Sequence, residues 1–407
     1  MAKQESISLF PPHLRAIARA CMEIFNNGGY ADKVIERTLK ADKRRGSHDR
    51  AFIAENIYEI VRWYRLLYTL RGSKPNHEND WWEMIGIRYI IDGQTLPHWK
   101  EFKRLNPTKI RTAYQDAKQD RSIIESIPLW IDQLGEAELK EEWAPTLHAL
   151  NQPAKVVLRV NTLLTDTEQL QEDLHNEGIG TQFHSEESLL VTKRKNLFKT
   201  DAFQDGHFEI QDYSSQQVAP YCDIAPGMRV IDACAGAGGK SLHLGALMQN
   251  KGQIIALDIE GWKLKALKKR AKRNKIHIIE PRVIKNSKTI KRLAASADRV
   301  LLDVPCSGLG VLRRNPDAKW KLTTGFIDKI KISQQEIIQQ YSKMVKNGGK
   351  LIYATCSILP SENQNQIEFF LNSDAGNAFE LEDMQSIAPH THGFDGFFMA
   401  RLRRKTN

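Results

Sequence analysis

Short apolar strands alternate with helices from about Ala225 to the end of the chain, and this alternation constrains the fold more than any other feature. The predicted strands are 229–232, 253–258, 282–285, 299–303, 350–355 and 397–402. Strand–helix–strand units place their strands side by side in a parallel sheet. We therefore predict an α/β domain over residues 223–407.

The residues before this domain follow other patterns. Apolar residues recur at helical spacing in 14–25 and 52–64, and helices are also predicted over most of 74–151. Farther along, strands at 156–161 and 189–191 flank a helix at 168–178. These patterns predict a helical domain with its connector over 1–150 and a small α+β module over 151–222.

The charge of the chain is strongly basic. Its 59 Lys and Arg exceed its 49 Asp and Glu, which gives a net charge of +10. Eight basic residues and no acids lie between Lys263 and Lys275. Such a run is typical of contact with a polyanion, but a solvated helix face has the same composition, so charge alone does not separate the two.

The cysteines and the apolar segments restrict the class of protein. Of Cys21, Cys222, Cys234, Cys306 and Cys356, no two form a C-x-x-C pair, so we expect free thiols and neither disulfides nor a metal site. No run approaches the length of a membrane span, and the first six residues lack a secretory signal. We expect a cytoplasmic protein.

A loop of small residues follows the first predicted strand of the α/β domain. Its members are Cys234, Ala235, Gly236, Ala237, Gly238, Gly239 and Lys240. Small residues let a ligand approach the backbone, although they also serve tight packing. The next strand ends at Asp258, whose carboxylate could bind the hydroxyls of a ribose or cap a helix. Together they favour an adenosine cofactor, either NAD or S-adenosylmethionine.

Two further strands end in cysteines. Asp303 and Cys306 follow one strand, and Cys356 follows the next, so two thiols are expected at one sheet edge. Hydride transfer has no use for this pair, but methylation at carbon 5 of cytosine does. A thiolate that adds to carbon 6 makes carbon 5 nucleophilic, and a base must later remove the carbon 5 proton. Asp303 could hydrogen-bond the ring nitrogen and amino group of the base.

The motifs Pro305-Cys306 and Thr355-Cys356 resemble those of the RsmB/Sun family of RNA cytosine-5 methyltransferases. The resemblance implies a Rossmann-like class I methyltransferase domain that uses S-adenosylmethionine. It also implies that Cys356 is the nucleophile and that Cys306 assists product release. In DNA cytosine methyltransferases the Pro-Cys thiol attacks instead, so Cys306 as nucleophile is the mechanistic alternative.

The same resemblance implies a set of cofactor-binding residues. It includes the loop from Cys234 to Lys240, with Ala237 where the family usually has Pro. Asp258 matches the ribose-binding acid, Lys263 stands where Arg is usual, and Asn286 replaces an Asp that contacts the adenine. Asp303 belongs both to this set and to the catalytic residues.

Segments outside the α/β domain also resemble this family. Residues 159–162 and 211–216 are similar to its pre-catalytic module, and 313–317 to its substrate-side segment. The N-terminal helices are similar to the NusB-like RNA-binding domain of the bacterial members. This domain order favours 16S rRNA over tRNA as the structured RNA substrate. We expect a monomer, and a target cytosine that is unpaired or weakly paired, because RNA readout favours loops and extrusion of a base from a duplex costs free energy.

Two other functions compete with this prediction. A methyltransferase for exocyclic amines needs an aromatic residue where the chain has Asp303-Val304-Pro305-Cys306, and none is present. The second is a non-catalytic RNA-binding assembly factor. The intact cysteines and the intact loop show no sign of the degeneration that such a role would allow.

Overall fold

The computed structural model describes residues 9–406, which form two compact units. One unit contains Met1–Asn151 and Arg314–Lys321, and the other contains Gln152–Arg313 and Leu322–Asn407. The first six residues, on which the expected absence of a secretory signal rests, lie outside the described part. Within residues 9–406, no helix is long and apolar enough to cross a bilayer.

The first unit is helical, as predicted. Its helices are α1 (Pro11–Asn26), α2 (Ala31–Lys40), α3 (Ser47–Arg62), α4 (Tyr64–Arg71), α5 (Glu78–Ile91), α6 (Pro107–Ala117), α7 (Arg121–Ile124), α8 (Leu129–Leu139), α9 (Trp143–Leu150) and α17 (Ala318–Lys321). Helix α1 begins with proline and buries Leu14, Ile17 and Cys21 at helical spacing. Helix α5 buries side chains on all its faces, Trp81 among them, and forms the centre of the core.

Residues 314–321 lie inside the range predicted for the methyltransferase domain but pack in the first unit. The Trp320 indole N–H donates to the carbonyl of Val61 at 2.7 Å, and the Asp317 carboxylate accepts from the Ala31 N–H at 3.0 Å. Lys319, which lies between them in sequence, is buried. The partly buried Trp320 ring packs against the core of the first unit, so this segment belongs with the helices and not with the sheet.

The second unit begins with a four-stranded antiparallel sheet. Its strands are β1 (Val157–Val160), β2 (Thr181–Ser185), β3 (Ser188–Val191) and β4 (Phe208–Ile210), in the order β2-β3-β1-β4. The helices of this region are α10 (Thr167–Asn176), α11 (Asp201–Gln204), α12 (Tyr213–Gln216) and α13 (Val218–Tyr221). Strand β1 is buried along its whole length and pairs with both β3 and β4.

A seven-stranded sheet forms the rest of the unit. Its strands are β5 (Arg229–Asp232), β6 (Gln253–Asp258), β7 (Ile279–Val283), β8 (Ala297–Asp303), β9 (Val345–Thr355), β10 (Phe379–Ile387) and β11 (Phe397–Arg404). The helices are α14 (Gly239–Leu247), α15 (Gly261–Arg273), α16 (Ser287–Lys291), α18 (Thr324–Tyr341), α19 (Gln364–Leu371) and α20 (Pro389–His392).

The strand order is β10-β11-β9-β8-β5-β6-β7. Strands β5 to β9 are parallel, and β11 enters antiparallel between β9 and β10. The order reverses at β5, whose neighbours are β6 and β8. Open α/β sheets bind their ligands at such a switch point. The predicted Rossmann-like α/β fold is confirmed.

The strand predictions fail where burial is low. Strand β7 covers Ile279–Val283, so residues 284 and 285 of its predicted range are wrong. Strand β10 was missed because most of its side chains are exposed and polar, which leaves little apolar pattern to detect. Strand β2 was missed for the same reason, and β4, although mostly buried, was missed because it has only three residues.

Candidate active site

The loop between β5 and α14 is shaped by its glycines. Gly236 and Gly238 have positive φ angles of 53° and 86°, which side chains rarely tolerate. A Cβ on Gly238 would lie 2.5 Å from the Leu267 Cγ, whereas one on Gly236 or Gly239 would meet nothing within 4 Å. The loop is therefore packed against α15 at one point and open at two others. This open backbone suits a ligand that binds close to the main chain.

Asp258 holds the same loop from the end of β6. One carboxylate oxygen accepts from the Gly236 N–H at 2.9 Å, and the other from the Glu260 N–H at 2.7 Å. A carboxylate oxygen can accept more than one hydrogen bond, so both retain capacity for ligand hydroxyls. The structure thus joins the predicted ribose-binding acid to the predicted loop.

Two arginines fix the loop by its carbonyl groups. Arg159 of β1 donates to the Gly239 carbonyl at 2.7 Å, and Arg270 of α15 donates to the Ala237 carbonyl at 2.8 Å. Burial lowers the pKa of Arg159 to about 10. The sequence prediction did not assign Arg159 to the site, although a charged residue in the apolar strand Val157–Val160 was a signal.

Lys263 and Asn286 interact with groups outside this loop. The Lys263 ammonium lies 3.2 Å from the Glu260 carboxylate. Asn286 is exposed and caps α16, where its side chain accepts from the Lys288 N–H at 3.0 Å. Lys263 follows β6 and Asn286 follows β7, so both come after the carboxyl ends of parallel strands. That they contact a cofactor remains a prediction.

Lys240 and Asp303 form an ion pair at the switch point. The Lys240 ammonium donates to the Asp303 carboxylate at 2.6 Å and lies 5.1 Å from the centre of the Phe397 ring. Burial alone would lower the pKa of Lys240, but the Asp303 carboxylate more than offsets it and raises the pKa above its usual value. Lys240 is therefore a fixed positive charge beside the predicted catalytic acid.

The sulfurs of Cys306 and Cys356 lie 3.4 Å apart. Each residue follows a neighbouring parallel strand, β8 or β9, and each side chain is partly exposed. The hydrogen bond with Cys356, together with burial, raises the pKa of the Cys306 thiol well above its usual value. Cys306 is therefore the sulfur that ionises less readily, and the two sulfurs are close enough to share a hydrogen bond.

Cys234 differs from this pair. Burial, together with the Asp232 and Asp303 carboxylates, raises the pKa of its thiol. It stays a neutral thiol in the loop, which agrees with a packing role beside the cofactor.

The serines that follow the two cysteines contact a residue that the sequence prediction missed. Ser307 and Ser357 both donate to the carboxylate of Glu362, which is fully buried. An acid two residues after Pro360 in a loop has no pattern that distinguishes it from a surface residue. Only the fold brings it to the cysteines.

Comparisons with known protein families match two parts of the chain. Residues 221–403 match the family described as 16S rRNA methyltransferase RsmB/F. Residues 127–197 match the ferredoxin-like domain of RsmF/B-like methyltransferases.

Individual relatives cover most of the chain. A probable ribosomal RNA small subunit methyltransferase B of Synechocystis is 29% identical over 435 residues, which span 94% of this chain and 97% of that protein. The ribosomal RNA small subunit methyltransferase B of Pasteurella multocida is 32% identical over 365 residues, 85% of this chain and 79% of that one. The crystal structure of NSun6 from Pyrococcus horikoshii with SFG has a TM-score of 0.63 and 22% identity, over 70% of this chain and 100% of that one.

Proposed function

Because the chain belongs to the 16S rRNA methyltransferase RsmB/F family and is an rRNA methyltransferase, we propose that it methylates carbon 5 of a cytosine in 16S rRNA. The family membership confirms the resemblance drawn from Pro305-Cys306 and Thr355-Cys356. The observation that carries the cytosine-5 chemistry is the 3.4 Å separation of the two sulfurs beside the Lys240–Asp303 pair. Methyl transfer to a nitrogen or to a ribose needs no thiol, let alone two.

The cofactor is S-adenosylmethionine, and the open loop after β5 fits it. The backbone of 234–239 would hold its methionine part, Asp258 would bind the ribose hydroxyls, and Asn286 would lie toward the adenine. When bound, S-adenosylmethionine supplies a methyl group activated by its positively charged sulfur. Lys263 and Asp303 complete the set of residues proposed to contact it.

Cys356 is the proposed nucleophile. Its sulfur forms a bond to carbon 6 of the cytosine, and the electron pair of the carbon 5–carbon 6 double bond moves into the ring. Ring nitrogen 3 would take a proton from solvent as the sulfur adds, and the Asp303 carboxylate would accept hydrogen bonds from that N–H and from the amino group, so that the ring carries no full negative charge. Carbon 5 then has the electron density needed to take the methyl group. The Lys240 ammonium, which donates to Asp303 at 2.6 Å, would hold the carboxylate in place for this task.

Cys306 is the proposed base for release. Once the Cys356 sulfur is bonded to carbon, it no longer accepts the Cys306 proton and no longer carries negative charge. Two of the effects that keep Cys306 protonated are thereby removed, so that Cys306 can give its proton to solvent. Its thiolate then takes the carbon 5 proton, the double bond reforms, and Cys356 leaves as a thiolate. The same argument disfavours Cys306 as the first nucleophile.

The two cysteines are tested with single substitutions. We expect Cys356→Ala to abolish both methylation and any covalent protein–RNA adduct, because no thiol can add to carbon 6. We expect Cys306→Ala to form the adduct and release it slowly, so that an RNA-linked protein accumulates. Tritiated methyl transfer to transcribed 16S rRNA and denaturing gels measure the two outcomes.

Cys222→Ala, which removes a buried thiol outside the site, should leave both measurements unchanged. An adduct that forms with Cys356→Ala but not with Cys306→Ala would exchange the two roles. Wild-type protein that transfers no methyl group to rRNA would favour the assembly-factor alternative.

The substrate is tested in cells. Bisulfite sequencing of total RNA from a deletion strain should show the loss of one 5-methylcytosine in 16S rRNA, in an unpaired or weakly paired stretch. Loss of a tRNA site with intact 16S rRNA would support the tRNA alternative. Retention of all sites would contradict the proposal.

A further inference from the structure

The carboxylate of Glu362 contacts the turns of both cysteines. Glu362 ends a short 3-10 helix (Pro360–Glu362) after β9, and none of its surface is exposed. We propose that Glu362 is a positioning residue that holds the two thiols in register and opposes ionisation of Cys306. This inference rests on the proposed function of the two thiols.

Four hydrogen bonds converge on this carboxylate. From the Cys306 side, the Ser307 N–H donates at 2.8 Å and the Ser307 hydroxyl at 2.5 Å. From the Cys356 side, the Ser357 hydroxyl donates at 2.6 Å. The fourth donor is the Gln334 side-chain amide of α18 at 3.1 Å, which also donates to the Pro305 carbonyl at 2.9 Å. All four partners are donors, which is the environment that an ionised carboxylate requires.

The two cysteine turns are built alike, and Glu362 joins them. Each serine hydroxyl oxygen accepts from the N–H two residues ahead, in Leu309 at 3.3 Å and in Leu359 at 3.1 Å. The two hydroxyl oxygens lie 3.2 Å apart, close to the separation of the two sulfurs. A shared acceptor therefore fixes the distance between the turns, and through it the distance between the thiols.

A second contact keeps the turns together. The Gly310 N–H donates to the Cys356 carbonyl at 2.9 Å, and a Cβ on Gly310 would lie 2.6 Å from that oxygen. The main chain after Cys306 thus touches the main chain of Cys356 directly. Glu362 adds a side-chain connection between the same two turns.

The charges around the pair are unequal. Glu362 receives a hydrogen bond from the main chain next to Cys306, and its negative charge opposes ionisation of that thiol. Lys240, in turn, is close enough to Cys356 for their charges to interact. Tyr353, whose hydroxyl donates to the Glu362 carbonyl at 2.8 Å, is close enough to Cys306 for their charges to interact. The Glu362 anion beside Cys306 therefore favours the neutral thiol at that position.

The test is the reactivity of each thiol in the full-length protein without RNA or cofactor. Iodoacetamide labelling followed by peptide mass spectrometry gives separate rates for Cys306 and Cys356 from pH 6 to pH 10. In the wild type we expect Cys356 to react first and Cys306 only at high pH. Glu362→Gln, which removes the charge at equal size, should speed Cys306 labelling at pH 8 on the order of tenfold, as a one-unit fall in its pKa would.

Two further variants separate charge from shape. Glu362→Asp keeps the charge and should restore slow Cys306 labelling. Ser307→Ala removes one hydroxyl donor, should fold even if Glu362→Gln does not, and should give a smaller rise in the same rate. Glu83→Gln, at another buried glutamate, is the matched control and should change nothing. Unchanged labelling in folded Glu362→Gln, or in Ser307→Ala where Glu362→Gln is unfolded, would overturn the proposal.

Methyl transfer supplies an independent readout. Glu362→Gln should lower kcat about 100-fold with little change in KM for RNA, because misplaced thiols slow the chemical step but not binding. Wild-type protein without methyltransferase activity would refute the proposed function and leave the labelling result standing. Altered activity with unaltered labelling would instead refute the positioning role.

Discussion

Gly238 is the residue of the cofactor loop whose identity the backbone dictates most strictly. Its φ angle of 86° is one that only glycine adopts without strain, and its α-carbon faces the buried side chain of Leu267. The next residue, Gly239, has neither restriction, since it starts α14 and has open space where a Cβ would be. The two adjacent glycines thus serve different purposes: Gly238 permits the backbone conformation of the loop, and Gly239 leaves open space beside the main chain.

Gly238→Ala should therefore destabilise the protein by about 2 kcal/mol or more, from backbone strain and from overlap with Leu267. Gly239→Ala should change stability by less than about 1 kcal/mol and in the favourable direction. Urea unfolding of the two variants measures the difference. Equal stabilities would show that the loop relaxes freely around position 238.

At the scale of residues, the sequence identifies candidate reactive and ligand-binding side chains more readily than the side chains that hold them in place. Cys306, Cys356 and Asp258 are recognisable because each follows an apolar strand and has a side chain suited to one reaction. Arg159 and Glu362 act through contacts with residues 80 and 55 positions away, with Gly239 and Ser307 respectively. No local pattern records such contacts, so they become visible only in the folded chain.

Helix α15 shows how one element divides its basic residues between two tasks. Leu264, Leu267 and Ala271 are buried, and Arg270 and Arg273 turn toward the Glu209 carboxylate. The exposed side chains on the remaining face are Trp262, Lys265, Lys268, Lys269 and Lys272. This lysine face begins near the cofactor edge of the sheet, and it is the part of the basic run suited to an RNA backbone.

The triple variant Lys265→Glu, Lys269→Glu and Lys272→Glu should weaken binding to 16S rRNA fragments. It should also reduce the dependence of the binding constant on salt by about one unit of slope for each phosphate that the protein ceases to neutralise. Filter binding from low to moderate salt measures both quantities.

The matched control reverses three other exposed lysines, Lys193, Lys199 and Lys343, and so changes the net charge equally. An equal loss of affinity in the control would show that α15 contributes only to the overall charge. In that case the basic run is the solvated helix face that the sequence alone left open.

The prediction of strands from the sequence succeeded where a strand is a continuous apolar run. Strands β5 and β6 begin and end where predicted, because their apolar residues are buried on both faces of a parallel sheet. Strand β10 lies at the sheet edge with charged and polar side chains outward, and its pairing with β11 supplies the order that its sequence does not.

Across the second unit, the two sheets are joined by a buried histidine. His243 of α14 lies 3.0 Å from the Glu187 carboxylate in the turn between β2 and β3. Burial and the Arg159 charge lower the pKa of His243 to about 4, so the histidine is neutral in the folded protein at pH 7. The unfolded chain binds this proton near pH 6.5, and stability is therefore lost as pH falls from there toward 4.

Between pH 7 and pH 5 the wild type should lose about 2 kcal/mol of stability that His243→Gln does not lose. The comparison must be a difference between proteins, because burial raises the pKa of Asp232 to about 7 and its titration acts in the opposite direction. Urea unfolding at both pH values measures it. His175→Gln, at an exposed position, should follow the wild type, and a similar response in His243→Gln would contradict the argument.

Residues 314–321 give the chain a property that its linear order conceals. They lie between β8 and α18 in sequence, yet their indole and carboxylate are satisfied by groups of α2 and α3. After proteolysis near residue 151, residues 314–321 would stay on the C-terminal fragment although they pack in the first unit. Neither unit would therefore be released intact. An N-terminal truncation therefore cannot isolate the sheet domain cleanly, because it would expose the part of the Trp320 ring that packs against the first unit.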